Sequence, residues 1–486
     1  MSKFQPLAYY EKPLEAGYKL LPFNFTELAA DEYVLTNLVG EHLLLQRKTL
    51  NQLVRHQLHS NDPAFNELKS KHFILDKNSN VALDLLALKT RTKYQQLPEF
   101  TSLHMFVVTL RCEHSCPYCQ VSRQSDDRLT FDMSPETAEK AVEMVFKSPS
   151  KTIKIEFQGG EPLLNFERIV QIVSSALIRN ETEKRQLQFV IATNLALINE
   201  EILQFCKKHE ILISTSLDGP ADLHNKNRPR PGGNSYELAI KGIAQSREVL
   251  GHDNVGALMT TTLASLPRVI EIIDQYRDLE FDGIFLRTLS PYGFAIKTKF
   301  FAAYNAEEWL KFYFQGLDYI IEINKRGTHF VEYYATTILT KMLTPFSPGY
   351  VDLMNPSGIG IAALIYNYDG DIYASDEPRM LAEMGDKKFR LGNVLSDTYK
   401  EIMLSDNLLD PLEKSFTASV PMCSDCAFEP FCGAEPVYHH ATQGDCVGRK
   451  PDSEFCSRNM AIFRFLIKRM KDDPEVKLMF QRWVGR

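Results

Sequence analysis

The sequence has 486 residues, about three domains' worth at roughly 150 residues each. Hydrophobic residues make up 44%, charged residues 24%, and the formal charge is −7. That acidic balance argues against nucleic acid as a partner, which needs a net basic face. No apolar run approaches the ~20 residues of a membrane span, and Met1 to Tyr18 hold no signal-peptide apolar stretch. A cytoplasmic protein with no membrane partner is expected.

The first 98 residues read as one unit. Tyr33 to Asn37 and Glu41 to Leu45 are expected as strands joined at Gly40. Thr49 to His56 and Ala64 to Lys71 follow as helices, and Phe73 to Leu75 as a closing strand. That order suits a winged-helix-like module. From His104 onward strands and helices alternate. Candidate strands are Met105 to Leu110, Ile153 to Phe157, Phe189 to Thr193, Leu212 to Leu217, Val255 to Thr261 and Gly283 to Arg287. The helices between them run Pro135 to Phe146, Phe166 to Ile178, Glu200 to Lys208, Ser235 to Val249 and Leu266 to Leu279. Six βα units over residues 99–300 mean a parallel sheet, doubly wound or a full or partial barrel, with functional groups at the carboxyl ends of its strands. Residues 301–357 are helix-prone and aromatic, a connector. In the last unit, residues 358–486, Ile359 to Asn367 and Asp371 to Ala374 suit a hairpin turning at Asp369-Gly370. A final helix, Ser457 to Lys471, sets basic residues among apolar ones, a solvated face over a packed one.

Nine cysteines are unevenly placed: three at 112, 116 and 119, one at 206, and five between 423 and 456. An odd count in a reducing compartment argues against a disulfide framework, so the two clusters read as metal sites. Cys206 falls in a helix and is expected to be a buried core thiol. Cys112, Cys116 and Cys119 directly follow the first barrel strand in a C-x3-C-x2-C arrangement. Three thiolates in so short a loop can hold three corners of an iron–sulfur cubane and leave the fourth iron open. Zinc is the alternative, with His114 as a further ligand. The second strand ends in Gln158-Gly159-Gly160-Glu161-Pro162. Its glycines allow close approach of backbone to a ligand, and Glu161 offers an acceptor for an ammonium group.

With these residues in view, the sequence resembles the radical S-adenosylmethionine enzymes. The resemblance makes Cys112, Cys116 and Cys119 the ligands of a [4Fe-4S] cluster and S-adenosylmethionine the cofactor. Tyr118 takes the place of the family's aromatic near the adenine, and Gly159, Gly160, Glu161 and Pro162 match the motif that binds the methionine amino group. Thr193-Asn194 ends the third strand as the family's Thr-Asn-Gly does, with Leu195 in place of the glycine. Ser216 and Arg228, by resemblance, reach the cofactor's ribose and carboxylate. The chemistry implied is reductive cleavage of the cofactor to a 5′-deoxyadenosyl radical that abstracts hydrogen from unactivated carbon.

The second cluster, Cys423, Cys426 and Cys432 with Cys446 and Cys456 beyond, resembles the SPASM extension of enzymes acting on ribosomal peptides. Asp369 to Tyr373 and Leu391 to Val394 resemble it too. Ser375 and Pro436 stand where the family has two further cysteines. One auxiliary [4Fe-4S] cluster is therefore implied, held by Cys423, Cys426, Cys432 and Cys456 with Cys446 spare, making two clusters in all. Asp376 matches the aspartate that takes a proton from oxidised substrate in sulfatase-maturing relatives; the competing reading is an exposed turn residue. The N-terminal unit resembles peptide-recognition modules. Tyr18 to Phe23, Leu286 to Phe294 and Pro436 to Asp445 resemble the His-Xaa-Ser system maturases. Together these imply a peptide or small protein substrate with His-Xaa-Ser repeats, and a one-electron donor such as flavodoxin or ferredoxin. The fold expected is α/β: a partial (β/α)6 TIM-like barrel with an N-terminal winged-helix-like domain and a C-terminal SPASM-type iron–sulfur domain. Two readings compete, an anaerobic sulfatase-maturing formylglycine-generating enzyme and a zinc-stabilised binding protein without redox chemistry.

Overall fold

The computed structural model describes residues 6–11, 17–79 and 81–485, so most of the stretch Met1 to Tyr18 lies outside the described residues. The N-terminal part holds β1 (Tyr18–Leu20), β2 (Phe23–Ala29), β3 (Glu32–Asn37), β4 (His42–Gln46) and β5 (Ile74–Asp76). The helices Arg47–Val54 and Pro63–Ser70 lie between β4 and β5. β2, β3 and β4 form an antiparallel sheet, and β1 pairs with β5. The sequence suggested β3, β4, both helices and β5, but neither β1 nor β2. β2 is half exposed along its length, with Phe25 facing Tyr33 across the sheet at 6.1 Å between rings. A strand without a fully buried face carries little hydrophobic signal.

The core is an eight-stranded sheet. β6 (Leu103–Thr109), β7 (Thr152–Gly159), β8 (Gln186–Thr193), β9 (Leu212–Ser216) and β10 (Val255–Leu258) follow one another as parallel neighbours. Each is followed by helix; that of Pro135–Val145 starts as expected, with Ser134 Oγ accepting from Thr137 N at 3.1 Å and proline in the first turn. The sixth strand departs from expectation. Only Gly283–Ile284 (β11) is extended, and it pairs in parallel with β12 (Val331–Glu332) instead of joining the main sheet. A Cβ on Gly283 would lie 2.6 Å from the Val331 carbonyl oxygen, so the missing side chain is what lets β12 approach. Beyond β11, Thr261 N still donates to Arg287 O at 2.9 Å, which ties this segment to the end of the fifth unit.

On its other side β6 pairs in parallel with β13 (Ala363–Tyr366), which turns at Gly370 (φ +85°) into β14 (Asp371–Tyr373) and then β15 (Arg390–Asn393). The sheet thus runs unbroken across residues 357 and 358. Helices Ala306–Lys325 and Tyr333–Leu343 cover the connector, and Glu454–Asp472 and Pro474–Trp483 end the chain. No described helix is long and apolar enough to cross a membrane. The N-terminal sheet docks on the C-terminal unit: Asn24 Nδ2 donates to Cys426 O at 3.1 Å, Arg464 Nη1 to Glu27 O at 2.5 Å, and Lys471 pairs with Glu32 at 2.7 Å.

Candidate active site and auxiliary cysteine site

The first cysteine loop leaves the carboxyl end of β6 and is fixed at its root by Arg111, whose Nε and Nη2 meet Asp132 at 2.7 and 2.8 Å. Further along, Ser115 N donates to Pro229 O at 2.8 Å and Phe294 N to Cys119 O at 2.7 Å. Gly293 is needed there: at φ +60° its backbone passes so close that a Cβ would lie 2.3 Å from Gln120 O. Cys112, Cys116 and Cys119 are all partly exposed. Burial, then Glu113 and Glu161, push the Cys112 thiol up, and burial pushes Cys116 up to about 12. A positively charged metal centre would favour the ionised form of Cys112 and Cys116, and three cysteines on one short loop suit an iron–sulfur cluster. Cys112, Glu113 and His114 also present ligand atoms within 4.8 Å of one another. That set holds one cysteine, and both ring nitrogens of His114 are already engaged, Nδ1 with Glu113 at 3.0 Å and Nε2 with Ser235 Oγ at 2.9 Å.

In the Gly-Gly turn after β7 both glycines make room for protein backbone. A Cβ on Gly159 (φ +135°) would lie 2.0 Å from Thr109 O, and one on Gly160 2.1 Å from Arg111 O. The close contact lets Gly160 N and Glu161 N donate to Thr109 O and Arg111 O, both at 2.8 Å, and so locks Glu161 beside the cysteine loop. Glu161 is 1% exposed. Its Oε1 accepts from Leu163 N and Thr193 Oγ1 at 3.1 and 2.7 Å, and its Oε2 from Asn194 N at 2.9 Å. A carboxylate has about four lone-pair sites, which leaves one for an ammonium group. Burial, then Glu113, push this carboxyl up to about 8, a cost that an incoming cation relieves. Pro162 starts the short turn that Glu161 caps.

Asn194 stays at the end of β8, its Nδ2 on Glu113 Oε1 at 2.8 Å. Leu195 is left-handed, at φ +63°, and its side chain packs where Gly242 leaves space; a Cβ there would lie 2.6 Å away. Ser216 is the last residue of β9, half buried. Arg228 is no free loop charge. Its Nε and Nη2 donate to the two oxygens of Asp218 at 3.0 and 3.2 Å. Asp218 also accepts from Tyr118 Oη at 2.5 Å, and the guanidinium sits 5.6 Å from the Tyr118 ring centroid. Sequence reasoning did not single out Asp218; the signal that could have found it is an arginine ten residues on that needs a carboxylate partner if it is buried.

In the second cluster, Cys423, Cys426, Cys432 and Cys456 line one cavity of about 860 Å³, opening included. Cys446 does not; it is buried elsewhere, its charged neighbours being Lys388, Lys414 and Asp410. Burial pushes Cys423 up to about 11 and Cys432 higher, so these thiols too suit a metal cluster. Phe25 and Thr26 of β2 complete the cavity wall. Cys206 is a fully buried core residue. Asp376 is not an exposed turn residue: it opens the helix Asp376–Ala382 with Oδ1 accepting from Arg379 Nε at 3.0 Å, and that arginine is fully buried.

Residues 106–286 match the family model described as the Radical SAM superfamily. The match spans the strands and helices of the barrel, which is similar to radical SAM domains. The radical SAM cyclopropyl synthase TigE of Paramaledivibacter caminithermalis is 27% identical over 235 residues, covering 46% of this chain and only 46% of that relative's own length. A cysteine-type anaerobic sulfatase-maturating enzyme of Clostridium perfringens is 24% identical over 330 residues, 66% of this chain and 84% of its own length. Among solved structures, native anSMEcpe with bound AdoMet and Kp18Cys peptide shares the fold at a TM-score of 0.63 and 20% identity, over 76% of this chain and 98% of that one.

Proposed function

We propose that this chain is a radical S-adenosylmethionine enzyme that modifies a ribosomally made peptide or protein by hydrogen abstraction. The observation that carries this reading is the convergence of the Cys112–Cys116–Cys119 loop, the spare lone pair of Glu161 and the Arg228–Asp218 pair at the carboxyl ends of the parallel strands. The three thiols would hold a [4Fe-4S] cluster. Glu161 would accept from the cofactor's ammonium, and Arg228, fixed by Asp218, would face its carboxylate. Asn194, Ser216 and Tyr118 would border the nucleoside. When bound, cluster and cofactor supply a 5′-deoxyadenosyl radical able to take hydrogen from unactivated carbon. The chain's own part is to orient both and keep water out. The cavity of Cys423, Cys426, Cys432 and Cys456 would hold one auxiliary [4Fe-4S] cluster, and a donor such as flavodoxin or ferredoxin would supply electrons one at a time. Asp376, oriented by Arg379, would take the substrate's proton.

A peptide substrate is supported by the Kp18Cys complex of anSMEcpe, which is a likeness of fold alone. A substrate with His-Xaa-Ser repeats is the finer reading. It draws on the stretches 286–294 and 436–445, which are far apart in sequence yet contribute Tyr292 and Tyr438 to one cavity. The sulfatase-maturating reading is favoured by the extent of the Clostridium perfringens match and opposed by Ser375 and Pro436, which remove two cysteines. Anaerobic reconstitution followed by an absorption spectrum and iron and sulfide assays separates these readings from a zinc protein. About eight irons per chain are expected, from four per cubane. A colourless protein carrying zinc at both cysteine clusters would overturn the proposal.

A further inference from the structure

Beside the barrel mouth lies the cavity to which Tyr292 and Tyr438 both contribute. It encloses about 660 Å³, opening included, between the loop after β11, the helix Ala306–Lys325 and the C-terminal unit. Tyr292 on its wall immediately precedes Gly293 and Phe294, which touch the Cys119 end of the cysteine loop. The cavity is therefore one loop away from the first thiol site.

Its charges do not balance. Asp352, Glu377 and Glu435 line it against Arg287 and Arg458, an excess of one carboxylate. Arg458 in turn lies over the rings of Trp309 and Tyr438, at 5.9 and 5.7 Å. Three polar atoms on its wall have no hydrogen-bond partner: Glu435 Oε2, Trp309 Nε1 and Asn459 Nδ2. Their residues are 4%, 3% and 2% exposed. Each such atom costs about 1–3 kcal/mol when nothing meets it, so an acceptor and two donors left open in one cavity point to an occupant that supplies the opposite groups. Glu435 is held for this. Its backbone is left-handed at φ +34°, and its Oε1 caps the helix Pro436–Gln443 by accepting from Tyr438 N at 3.1 Å, leaving Oε2 over. Burial, then Asp352 and Glu377, push the Glu435 carboxyl up, and burial and Glu377 push Asp352 up to about 7, as expected of a negative site that lacks its cation. A metal ion does not meet the geometry: among the described residues the only three-ligand set with atoms within 4.8 Å is Cys112, Glu113 and His114.

We infer that this cavity receives a basic side chain of the peptide substrate, its ammonium, guanidinium or imidazolium on Glu435, with a peptide carbonyl accepting from Trp309 Nε1 and Asn459 Nδ2. The inference rests on the peptide-modifying reading above and adds a substrate class to it. Aromatic walls from Tyr292, Tyr334 and Tyr350 suit a cation as well as an apolar stem.

The test uses the reconstituted full chain and calorimetric titration with the Nα-acetyl amides of lysine, arginine, histidine, leucine and glutamate. At least one basic amide is expected to bind tenfold or more tightly than the leucine amide. Glu435→Gln keeps the capping oxygen and should abolish that preference, while Trp309→Phe should weaken the basic amides about threefold to tenfold. Circular dichroism of both variants checks their folding. Equal affinity for basic and leucine amides, preference for the glutamate amide, no binding by any amide, or an unchanged preference in folded Glu435→Gln would each overturn the inference. Cofactor cleavage without peptide is read separately on the wild-type protein. Cleavage with no basic preference sinks this inference alone, whereas absent cleavage sinks the enzyme reading.

Discussion

Leu195 holds a backbone conformation, φ +63°, that costs an ordinary residue roughly 1–2 kcal/mol. Its buried side chain against Gly242 offsets that cost. Leu195→Gly relieves the strain but opens a cavity of the kind that costs about 2–5 kcal/mol in leucine truncations. A net loss of up to about 4 kcal/mol is expected by denaturant unfolding. Adding Gly242→Ala to that variant should recover part of it, whereas Gly242→Ala alone should destabilise, because its Cβ would meet Leu195 at 2.6 Å. A second residue predicts a pH dependence. His104 is fully buried, stacks on Tyr366 and has its pKa pushed down by burial to about 3. A folded value below the unfolded 6.5 means stability that is present above pH 6.5 and is lost as pH falls toward 3. At pH 5 the loss is about 2 kcal/mol. The unfolding midpoint of His104→Phe should therefore fall less than that of the wild type between pH 7.5 and 5.5; parallel falls would show that His104 does not titrate this way. At this scale the cysteines were legible because thiol chemistry lies in residue type and spacing. The packing role of Gly159 and Gly160 was not, since it depends on how close β6 lies to β7.

The helices of the barrel were readable to within a few residues because apolar periodicity and caps such as Ser134-Pro135 mark them in the chain itself. The short strands were harder. β11 keeps two of five expected residues because its partner is β12, a pairing that no local pattern announces. β2 escaped for want of a buried face, and β1 because three residues are too few to show a period. The auxiliary site belongs to this scale, since its thiols come from two loops and the first turn of the helix Glu454–Asp472. Cys456 lines the shared cavity and Cys446 does not. Cys456→Ala should therefore lower the reconstituted iron content from about eight toward about four, while Cys446→Ala leaves it near eight. The reverse pattern would move the ligand to Cys446.

Across the whole molecule, the sheet order places β6 at the junction between the barrel and the hairpin β13–β14, so these two parts share one continuous framework. The sequence separated these parts, because strand pairing over more than 250 residues, such as Leu364 with His104, leaves no local trace. The N-terminal sheet is also more than an appendage. Phe25 and Thr26 wall the auxiliary cavity, and Asn24 bonds to Cys426. Deleting residues 1–98 should therefore cost auxiliary iron as well as peptide affinity, and a truncated protein that retains about eight irons would show that this docking is dispensable. The other edge of that sheet, β4, borders a groove lined by His42, Leu43 and Leu44. The most direct measurement of the central claim is 5′-deoxyadenosine formed from S-adenosylmethionine on anaerobic reduction of the reconstituted chain. The wild type should form it, and Cys112→Ala/Cys116→Ala/Cys119→Ala should keep about four irons and form none. Formation at the wild-type rate by the triple variant would contradict the account.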